Sequence, residues 1–440
     1  MAVTERFITA RPLPDTAQLP PGPHLPRLAQ TVMFMGGRAF FGPRWQRKYG
    51  DVFSVHVAPA GRAVVLCKPE HIREVFAGPA DTFHAGEGNA ILGPVMGEHS
   101  VLLLDEKEHL AARKRVLAAF HGEAVNAWGD VVEQLAADTV ATWPVARPFG
   151  VHQHMNNISL EVILRIVFGM TDDARLAEIR PLLQRLVKIG PTIFLGWIYP
   201  VLENHGPWKK FQQLKERTDE VIYREIRARR AVPDLEGRTD VLSKLLFAAP
   251  EQSDQELRDH LVTLLLAGHE TTASTLAWTL HDLSRRPELL ARVQRAADEN
   301  DAAYLEAVIK ESMRLRPVIN NIARRLNKPA HVGGYDLPAG IVVFPSIALV
   351  QRRPSVFASP DDFRPERFLG SNPPPGTWIP FGGGIRRCLG AALAMVEATA
   401  VLKAVMQRVD IAPGGRAEWG RMRNVTMIPS RGARIISRPR

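Results

Sequence analysis

From Ser253 the chain runs without a proline until Pro287, and it opens that stretch with a capping-box signature, Ser253 followed by Glu256. This predicts one helix over Asp254 to Arg285. At ~1.5 Å per residue its about 32 residues would extend roughly 48 Å, enough to cross an entire domain. Leu261 to Ala267 is almost wholly apolar and Leu276 to Trp278 is apolar again, so the helix reads as buried. Its centre is polar: Gly268, His269, Glu270, Thr271 and Thr272. A carboxylate and hydroxyls in the middle of a buried helix cost free energy unless they are hydrogen-bonded or meet a ligand. Gly268 would thin the helix where something approaches. Alternatively, Thr271 bonds a carbonyl one turn back and Glu270 pairs with a core cation. From the helix alone both readings stand.

The rest of the pattern is organised around that helix. Val52 to Ala58 and Ala63 to Lys68 are β-branched runs separated by Pro59, Ala60 and Gly61, which predicts a hairpin. Helical periodicity dominates from Glu106 to about Val401, as in Val125 to Thr142, Ile158 to Phe168 and Trp208 to Arg230. Short strand patterns return at Ile322 to Leu326, Ile341 to Phe344, Asn424 to Met427 and Ala433 to Ile436. No internal repeat or long linker divides the chain, so its 440 residues predict a proline-rich lead-in over 1–25 and one mainly α domain over 26–440, with small sheets at one side.

Lysine and arginine exceed aspartate and glutamate by ten. No run of five basic residues, zinc-finger spacing or aromatic-basic signature accompanies that excess, which argues against nucleic acid. The N-terminus lacks the apolar core of a signal peptide, and the longest uncharged apolar stretch, Ile189 to Leu202, contains Pro191 and Pro200 and is shorter than the ~20 residues that span a bilayer. A cytoplasmic protein without a transmembrane anchor is expected; the apolar stretch is either a loop between helices or a wall facing a greasy ligand. Two cysteines, Cys67 and Cys388, are too few for a disulfide framework or a four-cysteine zinc site. Cys67 lies in a strand pattern and reads as a small buried hydrophobe.

Cys388 stands in Pro380-Phe381-Gly382-Gly383-Gly384-Ile385-Arg386-Arg387-Cys388-Leu389-Gly390, a glycine-rich loop leading into an alanine-rich helix. Helix-start N–H groups favour a thiolate there. A phosphate cradle would end in Lys-Ser/Thr, and a thiol nucleophile would need a nearby histidine base; the loop offers neither. A single anionic sulfur on a glycine platform suits an axial ligand to haem iron.

The spacing Phe381-x-x-Gly384-x-Arg386-x-Cys388-x-Gly390 resembles the haem-binding loop of the cytochrome P-450 superfamily. Further motifs follow the family's order. Ala267 to Thr272 is similar to its oxygen-activation motif, which makes Glu270 and Thr271 the catalytic acid–alcohol pair, with Glu270 where most soluble bacterial members have Asp. Glu311-x-x-Arg314 with Arg367 resembles the family's buried Glu-Arg-Arg triad, structural in role. His109 and Arg113, Arg324 and Arg386 match positions that hold the haem propionates, and Cys388 the metal ligand.

The resemblance implies the family's triangular helical prism holding haem b. It also implies a haem-thiolate monooxygenase that inserts one atom of O2 into an apolar small molecule, by hydroxylation or epoxidation. Pocket walls would come from Phe83 to Leu104, Ile189 to Leu202, Ala267, Val318 to Ile322 and Asn424 to Met427. With no flavin or nicotinamide domain, electrons would come from NAD(P)H through an external reductase and an acidic ferredoxin. That ferredoxin would dock on a basic face of Arg113, Lys114, Arg115, Arg386 and Arg387 of a monomer. A peroxide-driven peroxygenase is the alternative within enzymes, and a haem-thiolate sensor or binding protein the alternative outside them.

Overall fold

A computed structural model describes residues 18–36, 38–120, 124–187, 201, 204–370 and 373–440. Most of the proline-rich lead-in, and all of Ile189 to Leu202 except Val201, lie outside the described residues. What is described of the lead-in docks on the sheet, with Ser54 N donating to Pro21 O at 2.9 Å.

The principal helices after the N-terminal region are α1 (Glu106–Ala118), α2 (Ala124–Ala141), α3 (Val151–Val162), α4 (Asp173–Leu186), α5 (Gly206–Arg230), α6 (Asp254–Leu283), α7 (Pro287–Asp298), α8 (Ala302–Leu315) and α9 (Ala391–Arg408). Helix α6 is the long helix of the sequence pattern, and its capping box is formed: Glu256 N donates to Ser253 Oγ at 3.2 Å, and Ser253 N to the Glu256 carboxylate at 2.9 Å. It stops at Leu283, two residues before the expected end. Burial on nearly every face explains its all-round apolar composition: α3, α5, α8 and α9 all pack against it. The large core joins residues of α2, α3, α6, α8 and α9.

The strands are β1 (Val52–Val57), β2 (Gly61–Leu66), β3 (Phe83–His84), β4 (Phe149–Gly150), β5 (Arg324–Leu326), β6 (Ala330–Val332), β7 (Tyr335–Leu337), β8 (Val342–Pro345), β9 (Val409–Pro413), β10 (Gly420–Arg423), β11 (Thr426–Pro429) and β12 (Arg434–Pro439). The main sheet has the order β1-β2-β8-β5-β3. The expected hairpin is β1–β2, in register from Val52 opposite Leu66 to Val57 opposite Gly61.

Three elements differ from the sequence expectation. Ile158 to Phe168 is not one regular helix: α3 ends at Val162 and a π turn, Ile163–Val167, follows, closed by Phe168 N donating to Ile163 O at 3.2 Å. Asn424 to Met427 is not one strand but straddles the turn of the β10–β11 hairpin, with Asn424 at a φ of 54°. Helix α9 runs past Val401 to Arg408, because residues such as Leu402, Val405 and Met406 continue its buried face.

Candidate haem and oxygen site

The cysteine loop is shaped by glycines at two positions of positive φ, where any side chain is strained. Gly384 has a φ of 62°, and a Cβ there would lie 2.1 Å from the carbonyl oxygen of Phe76. Gly382 has a φ of 68°. Cys388 N donates to Phe381 O at 2.9 Å and Arg387 N to Gly384 O at 3.1 Å, which folds the loop back on itself just ahead of α9.

Cys388 is an exposed residue, yet the surrounding atoms are dense enough that burial is the largest influence on its thiol and raises its pKa. Both hold for a side chain lining a recess. Against burial act the Gly390 N–H and the charges of Arg387 and Arg113, all of which favour the thiolate. Among the described residues no three His, Cys, Asp or Glu side chains gather as metal ligands. Cys67 is fully buried, and burial pushes its thiol far up, as its sequence context predicts.

Around the loop stand the cations that the sequence singled out. His109 on α1 is buried, and its pKa falls to about 3, first through burial and then through the charges of Arg386, Arg113 and Arg324. It is a neutral imidazole at physiological pH, and its Nδ1 is buried without a hydrogen-bond partner. Burial also lowers Arg324 and Arg386, each to about 10. Arg324 feels Arg386 as a neighbouring like charge, and Arg386 feels Arg113. Thus His109, Arg113, Arg324 and Arg386 converge on one place.

Asp105 is the carboxylate that acts on Arg324 and Arg386 there. Sequence reasoning missed it. It precedes α1 but does not cap it: its oxygens accept from the backbone N–H groups of Ala85, Gly86 and Glu87 at 2.8, 2.9 and 3.0 Å, and from Arg386. Arg386 also donates to Leu104 O, and to Val101 O at 3.3 Å.

The donor set passes a test for a dianionic cofactor. Three guanidinium groups face one carboxylate, an excess of two positive charges that two propionates would balance, and His109 keeps a buried ring nitrogen in reserve. Gly390 adds a steric argument. Its φ is an ordinary −88°, and a Cβ on it would meet no protein atom within 4 Å, so nothing in the chain itself requires glycine there. A flat group lying against the helix start would.

The polar centre of α6 resolves into three directions. Gly268 faces the π turn, where a Cβ would lie 3.0 Å from Ile163 Cδ1, so a protein side chain approaches the thinned helix. His269 turns to α3, its Nε2 against Asn156 O at 3.0 Å. Glu270, buried, takes a hydrogen bond from Arg423 Nε on β10. Its carboxyl pKa is raised by burial, with Arg423 and Thr426 pulling the other way. Thr271 Oγ1 donates to Ala267 O at 2.7 Å. The contacts foreseen for a purely structural centre are therefore both made. Yet Leu264, Ala267 and Thr271, spaced three and four apart on one stripe of a buried helix, keep accessible surface, so the helix lines a recess there. Two expected pocket walls meet: Met427 N donates to Val318 O at 2.8 Å.

The Glu-Arg-Arg triad is formed. Glu311 and Arg314 are both 0% exposed; Arg314 donates to Glu311 at 2.6 and 2.9 Å and Arg367 to Glu311 at 3.4 Å. Arg314 spends its other N–H groups on the carbonyls of Gln351, Pro360 and Asp362, tying α8 to the segment before the cysteine loop.

A mainly helical domain with a small mixed sheet, a buried Glu-Arg-Arg triad and a lone cysteine on a glycine loop is the architecture of a haem-thiolate oxidoreductase. The cytochrome P450 family model matches residues 20–434, and the chain belongs to that family. It is 45% identical over 427 residues to cytochrome P450 135A1 of Mycobacterium tuberculosis, covering 96% of this chain and 95% of that protein. To cytochrome P450 135B1 of Mycobacterium bovis it is 42% identical over 428 residues, covering 95% and 91%. Its fold matches the structure titled retinoic acid bound cyanobacterial CYP120A1 with a TM-score of 0.84, over 97% of this chain and all of that one, at 22% identity. Family membership makes the protein a haem-dependent monooxygenase.

Proposed function

We propose that this monooxygenase binds haem b through Cys388 and hydroxylates or epoxidises an apolar small molecule. The observation that carries the site assignment is the convergence of Arg113, Arg324, Arg386 and His109 beside the Cys388 loop, with a single carboxylate to offset them. When bound, the haem supplies the iron at which dioxygen is split, one atom entering a C–H or C=C bond and the other leaving as water. Cys388 holds the iron as a thiolate, its charge supported by the Gly390 N–H and by Arg113 and Arg387. The three arginines bind the propionates, and neutral His109 donates a further hydrogen bond. Thr271 holds a proton at Oγ1 on the recess-facing stripe of α6, and Glu270 one residue before it is the carboxyl that replenishes it.

Electrons arrive from NAD(P)H through a reductase and a ferredoxin. The expected basic face contracts, since Arg386 turns inward to Asp105 and Arg115 lies 3.9 Å from Glu256. Lys114 and Arg387 remain exposed, beside Leu110 at 46% and Ile385 at 43% exposure, so a small apolar patch rimmed by cations is the docking surface. Among the described residues no helix is long and apolar enough to cross a membrane, and we read the protein as a cytoplasmic monomer.

Haem titration into wild-type, Arg113→Ala and Arg324→Ala protein tests the assignment. Each variant loses a charge-assisted hydrogen bond worth about 1.5–3 kcal/mol, a roughly ten- to hundredfold weaker haem affinity. Unchanged affinity in both would sink it.

A further inference from the structure

Successive helix positions lie about 100° apart, and Glu270 and Thr271 use that angle to point to different neighbours. Thr271 Oγ1 donates a hydrogen bond to the Ala267 carbonyl. The Glu270 carboxyl turns to the β10–β11 hairpin, where Arg423 Nε donates to it and Thr426, whose hydroxyl donates to the Arg423 carbonyl, lies close by. The Glu270 side chain is 8% exposed and that of Arg423 26%, so the guanidinium bridges a buried carboxyl and the solvent.

The hairpin that supplies Arg423 also touches the elements around the recess. Met427 N bonds Val318 O at 2.8 Å, Trp278 Nε1 of α6 bonds Met427 O at 3.2 Å, and Asn424 Nδ2 reaches Val187 O, just past α4, at 3.4 Å. A molecule pressing on Val318 therefore presses on the strand that is joined to Arg423 by a two-residue turn. Arg423 shares the surroundings of His152 on α3 with Arg421 on its own strand and His269 on α6, and burial holds His152 neutral, down to about 3. None of them replaces Arg423 as the hydrogen-bond donor to Glu270 in this arrangement.

The geometry points to Arg423 as a positioning residue, a latch that keeps the Glu270 carboxyl turned from Thr271 until a shift of the β10–β11 hairpin releases it. The inference rests on reading Glu270 and Thr271 as the acid–alcohol pair. On release the carboxylate takes a proton from a solvent hydronium, which becomes water, and passes it to Thr271 Oγ1 as the threonine's own proton moves forward to an acceptor in the recess; the carboxylate is regenerated and binds Arg423 again. Substrate contact and proton supply are thereby linked through one strand.

The test is an infrared titration of the protonated-carboxyl band in the haem-loaded protein, with Glu270→Gln identifying the band that belongs to Glu270. Loss of a partner cation raises a carboxyl pKa by about 1–3 units. Arg423→Ala should move the Glu270 band up by that amount, and Arg423→Lys, which keeps the charge and the fold, should move it far less. An Arg423→Ala protein that melts like wild type but titrates Glu270 at the wild-type pH overturns the latch. The solvent deuterium isotope effect on oxygen reduction, driven by a surrogate ferredoxin and its reductase, separates the two readings. If Glu270→Gln leaves it unchanged, the acid–alcohol pair itself fails and the latch with it. If Glu270→Gln changes it and Arg423→Ala does not, only the latch fails.

Discussion

Gly384 and Gly390 sit six positions apart in the cysteine loop and answer different demands. At Gly384 the backbone itself excludes a side chain, both by its φ of 62° and by the Phe76 carbonyl 2.1 Å from any Cβ. Gly384→Ala should therefore destabilise the protein with or without haem, by about 1–3 kcal/mol from overpacking, read by chemical denaturation. Gly390 meets no protein atom, so Gly390→Ala should leave the haem-free protein within about 0.5 kcal/mol of wild type while weakening haem binding. Equal losses in both states would show that Gly390 serves the chain and not the cofactor. The sequence singled out Cys388, His109, Arg113, Arg324 and Arg386 through their resemblance to the family's motifs. It hid Asp105 and Arg423, whose roles depend on partners 281 and 153 positions away in the chain, with no local pattern to mark them.

Among the elements, α6 and the β1–β2 hairpin could be read directly, since capping, proline punctuation and apolar periodicity all act within a few residues. The π turn after α3 could not, since no local signal marks it; its first residue, Ile163, packs against Gly268 of α6, far away in the chain. The same holds for the two-residue strands β3 and β4, which exist only as partners of β5 and β12. The fully buried Glu311–Arg314 pair lies within α8, and Arg314's bonds to backbone carbonyls together with Arg367 join it to the segment before the cysteine loop. Removing one partner of such a pair strands a charge, and Glu311→Ala should cost about 3–5 kcal/mol in urea denaturation. A loss below 1 kcal/mol would mean that the triad is dispensable. On α9, Glu397 is buried, with one carboxyl oxygen lacking a hydrogen-bond partner, and burial lifts its carboxyl to about 8. A folded pKa above the unfolded value of 4.5 gives stability that is complete below pH 4.5 and lost as pH rises through 8. Glu397→Gln should thus gain on wild type across that window, measured as a widening difference in melting temperature.

Over the whole molecule, the excess of basic residues divides between buried work and surface work. Arg113, Arg324 and Arg386 lie at the proposed propionate site, Arg314 in the core clamp and Arg423 on β10 against α6, while Lys114 and Arg387 are exposed at the proposed docking surface. Ferredoxin-supported turnover should fall as ionic strength rises, and Arg387→Glu should depress it most at low salt. A flat salt profile would remove the docking face. Acid should unfold the protein through its buried imidazoles: His152 and His260 have folded pKa values of about 3 and 4 against 6.5 unfolded. Their contribution is present above pH 6.5 and lost as pH falls through the folded values.

The central claim is that Cys388, held as a thiolate on its glycine loop, is the ligand to the iron. The most direct measurement is the optical spectrum of the haem-loaded protein, reduced under carbon monoxide, for wild type and Cys388→Ser. The red-shifted thiolate band should be present in the first and absent in the second. A wild-type protein without that band, or a serine variant that keeps it, would contradict the account.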